Sequence, residues 1–204
     1  MLASSQSRVI LNAGVEPLAR LLARVGVPPS VITVIGAVAS GLVCLWFVQT
    51  HAVLPFCGWI VATGLFDVLD GAVARVGGRV TKFGGYLDAM CDRYVESMVA
   101  VSVALVTGYW GLTMLVLVGS LLVSYAKARA ALEVSVSNTE WPDLMERAER
   151  NFGFIGGLAA SALVPWKPLG HDLFWWTLVV LAGCIHFTVG QRMWRARRLI
   201  RLRG

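Results

Sequence analysis

The sequence predicts an all-α integral membrane protein: six transmembrane helices preceded by an interfacial amphipathic helix, with both termini in the cytoplasm. Three observations carry that expectation. Apolar residues make up 57% of the 204-residue chain and the mean hydropathy is +0.69, far from an ordinary soluble domain. They are gathered into runs of about twenty, the length that crosses a bilayer as a helix. The 18 Lys and Arg residues fall before the first run, in alternate connections and in the C-terminal tail, with only Lys167 elsewhere. This is the positive-inside pattern. It explains the net charge of +6 by the membrane, so the lipid bilayer and no nucleic acid is the expected partner.

The chain reads as a single membrane domain: an amphipathic helix over 8–25, a six-helix core over 31–194 and a basic tail over 195–204. In the first segment Arg8, Asn12, Glu16, Arg20 and Arg24 recur every four residues, with Val9, Leu11, Val15, Leu18, Leu22 and Val25 on another face. Such a helix lies flat on a membrane, and Pro17 is expected to kink or restart it. About thirty residues precede the first long apolar run, which does not fit a cleavable signal peptide. Residues 26–30 form a turn, with Ser30 as N-cap of span one at 31–49.

Residues 50–52 make an outer turn. Span two covers 53–76, followed by a tight polar loop at 77–82 and span three at 83–107. The turn at 108–111 carries the interfacial aromatics Tyr109 and Trp110. Span four runs over 112–132. A polar connection over 133–146 turns at Pro142. Span five is 147–164, an outer loop follows at 165–170, and span six is 173–194. Six crossings return the C-terminus to its starting side. Cys44, Cys57, Cys91 and Cys184 have no paired spacing and read as small apolar residues. His51, His171 and His186 have no ligand spacing.

Four carboxylates stand out in this apolar chain. Asp67 and Asp70 are spaced i,i+3 near the end of span two, and Asp88 and Asp92 are spaced i,i+4 near the start of span three. On helices each pair occupies one face, and both lie at one depth, just inside the cytoplasmic boundary. A carboxylate in a span costs roughly 2.5–3.5 kcal/mol, so four need an explanation. Two facing pairs form a cup for hard divalent cations. Gly71, Ala74, Gly84 and Gly85 leave clearance beside it, and Arg75, about one turn past Asp70, can meet a phosphate. That combination suits a pyrophosphate.

The pattern Asp67-x-x-Asp70-Gly71-x-x-Ala74-Arg75, then eight residues, then Gly84-x-x-x-Asp88-x-x-x-Asp92 resembles the signature of the CDP-alcohol phosphotransferases. These are six-span membrane enzymes that displace CMP from a CDP-linked donor with an alcohol. The resemblance implies two Mg2+ or Mn2+ ions. Asp67, Asp70 and Asp88 would hold metal, with Asp67 and Asp88 bridging the ions and Asp92 joining the second. Asp92 would also be the general base. Gly71, Arg75 and Thr81 would contact the CDP moiety. The entry to span one, Ser30, Val31, Ile32 and Thr33, resembles the family's nucleotide-contacting turn. A homodimer in the cytoplasmic membrane, with its active site facing the cytoplasm, is the family-level expectation.

A second polar group bears on the acceptor. Lys127 ends span four, Arg147 and Arg150 begin span five, and Arg192 ends span six. At the level of the aspartates these cations can converge on a phosphate, which a phosphorylated polyol needs and choline or ethanolamine does not. The alternative is that they are helix-end charges obeying the positive-inside rule. Ser124-Tyr125-Ala126-Lys127-Ala128-Arg129-Ala130 and Glu146-Arg147-Ala148-Glu149-Arg150 resemble the branch making phosphatidylinositol phosphate, or its archaeol-lipid counterpart, with inositol 1-phosphate as acceptor. Residues 134–145 depart from that branch, which keeps glycerol 3-phosphate as the alternative. A divalent-cation transporter would also use intramembrane carboxylates. It would set them near the bilayer midplane, without an arginine beside them.

Overall fold

The computed structural model describes residues 2–134 and 145–203. Among them the chain forms eight α-helices, one 3-10 turn at Pro168–Gly170 and no strand. The helices are α1 (Leu2–Val25), α2 (Pro29–Thr50), α3 (Val53–Thr63), α4 (Leu65–Val76), α5 (Lys82–Thr107), α6 (Trp110–Glu133), α7 (Arg147–Leu163) and α8 (Leu173–Arg203). The turn expected at Pro142 lies outside the described residues. Internal contacts divide the chain into two units, Met1–Ser102 and Val103–Gly204.

Four segments are long and apolar enough to cross a membrane: Pro29–Thr50, Val53–Val76, Trp110–Glu133 and Leu173–Leu202. The protein is therefore an integral membrane protein on length and composition. Of the other two expected spans, α5 is long but carries Asp88, Asp92, Arg93 and Glu96, and α7 has 17 residues.

The packing is that of a helix bundle in lipid. In α2 the inward stripe is Ile32, Gly36, Ser40, Cys44 and Phe47, and the outward stripe is Val31, Val34, Ile35, Val38, Leu42 and Leu45. Small residues face protein and large aliphatic ones face out, because lipid solvates leucine as well as a core does while small residues let backbones close up. A Cβ at Gly36 would stand 2.7 Å from Cβ of Phe66 in α4. Nearby, Ser40 Oγ donates to Thr63 Oγ1 at 3.0 Å. Phe47 and Phe56 stack with centroids 3.9 Å apart. Segment 53–76 is interrupted at Gly64, which keeps helical torsions (φ −61°, ψ −18°) and donates to the Ile60 carbonyl at 3.1 Å. The break falls three residues before Asp67.

Helix α1 continues through Pro17 where a kink or restart was expected. Its Ala19 is buried with Ala72, Val73 and Ile32, and Val15, Leu22 and Ala23 pack against that cluster. Leu18, Leu21 and Val25 remain exposed on another side. One apolar face thus braces the helix that carries Asp67 and Asp70. Helices α1 and α4 end alike. Gly26 (φ +85°) and Gly78 (φ +61°) take the left-handed conformation. The six-to-one bonds are Val27 N–H to the Leu22 carbonyl (3.1 Å) and Arg79 N–H to the Ala74 carbonyl (2.9 Å). These are Schellman stops, at which glycine carries no Cβ penalty. Helix α2 starts two residues earlier than expected: Pro28 is its N-cap and Pro29 its first residue. Proline at that position is pre-set for helix and lacks an N–H to satisfy.

In the second unit, α8 packs on α6 and α7. A Cβ at Gly119 would meet Ile185 at 2.7 Å, and one at Gly157 would run into Thr177. Phe154 and Phe174 meet edge to face at 5.4 Å. At one end, Asp172 accepts from the Tyr109 hydroxyl and from the Trp175 N–H, each at 2.9 Å.

The α2–α4 contact predicts that Gly36→Ala destabilises the protein by about 1–3 kcal/mol, because Phe66 Cβ cannot yield without backbone movement. Gly58→Ala, with open space around its Cβ, serves as control. Thermal unfolding in one detergent should show a lower midpoint for Gly36→Ala alone.

Candidate active site

The first unit brings three acidic side chains together. Ligand oxygens of Asp67 and Asp70 on α4 and Asp88 on α5 all lie within 4.8 Å of one another. Spacing explains the α4 pair, since i and i+3 share a helix face. The short turn between α4 and α5 brings Asp88 opposite. Asp67 and Asp88 are within hydrogen-bond distance, and Asp92, a turn further along α5 and half-buried, adds its charge to their surroundings. Two full charges 4.8 Å apart repel by on the order of 3 kcal/mol at an effective dielectric of about 20. A divalent cation offsets that repulsion and suits an all-oxygen donor set. The residues present therefore fit a metal.

Asp70 is buried, 6% exposed. Its Oδ2 accepts a hydrogen bond from the Thr33 hydroxyl of α2, which also bonds the Pro29 carbonyl at 3.2 Å. This role of Thr33 had no local signal in the sequence, because 37 residues separate the partners. Arg93, the cation next to Asp92, is paired with Glu96 at 2.8 Å.

A cavity of about 710 Å³ opens beside Asp70 and Asp88. Helix α2 and its N-cap contribute Pro28, Pro29, Ser30 and Thr33, and α4 contributes Gly71, Ala74 and Arg75. The α4–α5 turn gives Arg79, Val80 and Thr81, and α5 gives Phe83, Gly84 and Gly85. Two helix N-termini and two guanidinium groups thus line one space, a setting that favours an anion with several oxygens. Arg75 folds back over Gly71: a Cβ there would meet its Nη1 at 3.2 Å. Thr81 is the N-cap of α5 and accepts from the Gly84 N–H at 2.9 Å. Arg79, which the sequence reading passed over, donates from Nη1 to the Gly26 carbonyl at 3.1 Å. It ties the two Schellman turns together at the cavity rim. Its only signal in the sequence was a second arginine four residues after Arg75. Of the span-one entry, Ser30 and Thr33 line the cavity. Val31 is exposed, and Ile32 is buried against Ala19, Ala72 and Val73.

The four cations proposed for an acceptor phosphate all lie in the second unit. Arg150 of α7 and Arg192 of α8 are buried. Arg150 donates from Nε to Ser120 Oγ at 2.6 Å and from Nη1 to the Met145 carbonyl at 3.0 Å. Arg192 Nη1 donates to the Val123 carbonyl. Ser120, Val123 and Lys127 share one face of α6 by spacing. Lys127 and Arg147 are half-buried.

Comparison with known proteins points to one family. The profile of the CDP-alcohol phosphatidyltransferase family matches residues 27–183. An archaetidylinositol phosphate synthase of Pyrococcus horikoshii is 38% identical over 149 residues, covering 72% of this chain and 77% of that protein. A phosphatidylinositol phosphate synthase of Mycobacteroides abscessus is 37% identical over 193 residues, covering 89% and 83%. The crystal structure of Mycobacterium tuberculosis phosphatidylinositol phosphate synthase with CDP-DAG bound superposes with a TM-score of 0.79 at 31% identity, covering 89% of this chain and 92% of that one. The same enzyme in complex with manganese and citrate gives the same TM-score and identity.

The Thr33–Asp70 bond generates a prediction. Partners that orient a metal-ligating group typically carry about 10–100-fold in affinity or activity. Thr33→Val should therefore weaken Mn2+ binding by about that factor, read by Mn2+ titration followed by electron paramagnetic resonance, while Thr33→Ser retains it.

Proposed function

Because the chain belongs to the CDP-alcohol phosphatidyltransferase family, we propose that it transfers a phosphatidyl-type group from CDP-diacylglycerol or CDP-archaeol to the hydroxyl of inositol 1-phosphate, releasing CMP. The observation that carries this reading is the carboxylate cluster at the mouth of a cavity with two helix N-termini and Arg75. Asp67, Asp70, Asp88 and Asp92 hold two Mg2+ or Mn2+ ions, which when bound neutralise the pyrophosphate and the departing CMP. Arg75, Ser30, Thr33, Gly71 and Thr81 seat the CDP moiety, with Val31 and Ile32 continuing the α2 turn behind them. Asp92 takes the proton from the acceptor hydroxyl. That oxygen then bonds to the lipid-bearing phosphorus as the bond from phosphorus to the CMP oxygen breaks, and the proton passes on to water.

Lys127, Arg147, Arg150 and Arg192 bind the phosphate of the acceptor. Arg150 and Arg192 are anchored to α6 through Ser120 and Val123, and Lys127 and Arg147 complete the set. Supporting the inositol acceptor are the relatives named for inositol phosphate products. In this reading all six spans cross the bilayer, with α1 on its cytoplasmic surface through Leu18, Leu21 and Val25. Both termini and the active site face the cytoplasm, in a single membrane domain that pairs as a homodimer.

Two outcomes follow. Asp92→Asn should lower metal-dependent CMP release by about 10²–10⁴-fold, the range of a general base. With a CDP-lipid donor, inositol 1-phosphate should outcompete glycerol 3-phosphate, serine and free inositol. Lys127→Gln should then raise KM for inositol 1-phosphate about tenfold or more, the scale of one charged hydrogen bond, leaving KM for the donor unchanged. An unchanged acceptor KM removes the phosphate pocket, and preference for glycerol 3-phosphate reassigns the acceptor.

A further inference from the structure

The sequence presents residues 195–204 as a basic tail, but α8 runs unbroken from Leu173 to Arg203, 31 residues. At 1.5 Å per residue it is about 46 Å long, against a hydrocarbon layer of about 30 Å. Roughly 15 Å of helix therefore stands outside the hydrocarbon. Trp194, about 32 Å along the helix from Leu173, falls at the boundary, the level indole rings prefer. The turns beyond it lie at the depth of lipid phosphates.

On one face of those turns a groove of about 400 Å³ is lined by Trp194, Arg197, Arg198, Arg201 and Leu202. Spacings of three and four residues put the three arginines on one side. All three are exposed. Among the described residues no carboxylate lies within ion-pair distance of Arg197, Arg198 or Arg201. Arg198 instead lies 5.9 Å over the Trp194 ring, a cation–π contact that holds the guanidinium up against the groove. Leu202 is 72% exposed and borders the same space. Apolar edges beside three unneutralised guanidinium groups at phosphate depth match one chemistry: a phosphodiester whose own tails run into the bilayer.

We propose that the C-terminal turns of α8 are a binding site for the headgroup of anionic phospholipids, separate from the carboxylate site. Guanidinium groups pair bidentately with phosphate oxygens, and each basic residue at an anionic surface contributes about fivefold to binding. The surface holds a lipid of the surrounding leaflet, independently of which acceptor the enzyme uses.

The test uses the full chain reconstituted in phosphatidylcholine vesicles containing spin-labelled phosphatidylglycerol or spin-labelled phosphatidylcholine. The wild-type protein should immobilise the anionic probe at least about fivefold more strongly, the contribution of one such residue. That preference should fall toward unity in Arg197→Gln/Arg198→Gln/Arg201→Gln and be largely kept in the triple lysine variant. Unchanged Mn2+ affinity verifies that the glutamine variant is folded. Equal preference in wild type and glutamine variant overturns the proposal. So does loss of the preference on adding millimolar inorganic phosphate at constant ionic strength, since the groove would then be a site for the free anion.

Discussion

Three acidic side chains from two helices sit within 4.8 Å of one another in a protein otherwise built for lipid. That crowding is the constraint to which the rest of the first unit answers. Helix α4 is braced from behind by α1 and held close to α2 through Gly36 and Phe66. The α4–α5 turn is short and stopped by Gly78, so Asp88 is delivered opposite Asp67 and Asp70. Thr33 reaches across from α2 to fix the buried member of the set. Without bound cations these oxygens repel. The scaffold that keeps them together is therefore a device for binding positive charge, and the helix N-termini and arginines around the cavity are one for binding negative charge.

Transfer from a CDP-linked lipid requires both. The diphosphate carries the negative charge that links cation to cavity, while the tails of the donor must stay in the bilayer. Placing the site at helix ends, with small residues around it, lets a charged headgroup reach protein backbone without dragging lipid chains through a polar core. The inside-out pattern of α2, with Gly36, Ser40 and Cys44 inward and leucines and valines outward, is the packing counterpart of that requirement.

Much of this was legible in the sequence because charge is rare in the chain and so carries information. Spacing paired Asp67 with Asp70 and Asp88 with Asp92 and predicted that the two pairs would face each other, of which the structure gathers Asp67, Asp70 and Asp88, and turn glycines bounded the helices that bear them. What the sequence did not reveal depends on contacts between distant residues. Thr33 reads as a nucleotide contact in its local motif, and its hydroxyl also bonds Asp70. Thr81 reads as a substrate residue, and its oxygen also caps α5 at Gly84. The apolar face of α1 reads as a membrane face, and two of its residues, Val15 and Leu22, pack against the cluster of Ala19, Ile32, Ala72 and Val73. Pro17 and Pro29 show the same limit on a smaller scale: helix continuation past one and initiation at the other were settled by packing and by proline's own torsion, against the first expectation for each.

The most direct test is the affinity of the purified protein for CDP, measured calorimetrically with saturating Mn2+ and again with chelator. If the clustered carboxylates and the cavity form one diphosphate site, metal and nucleotide binding are thermodynamically coupled. Chelation should then weaken CDP binding by about tenfold or more, equivalent to about 1.4 kcal/mol. An affinity for CDP that is the same with and without metal would contradict the account.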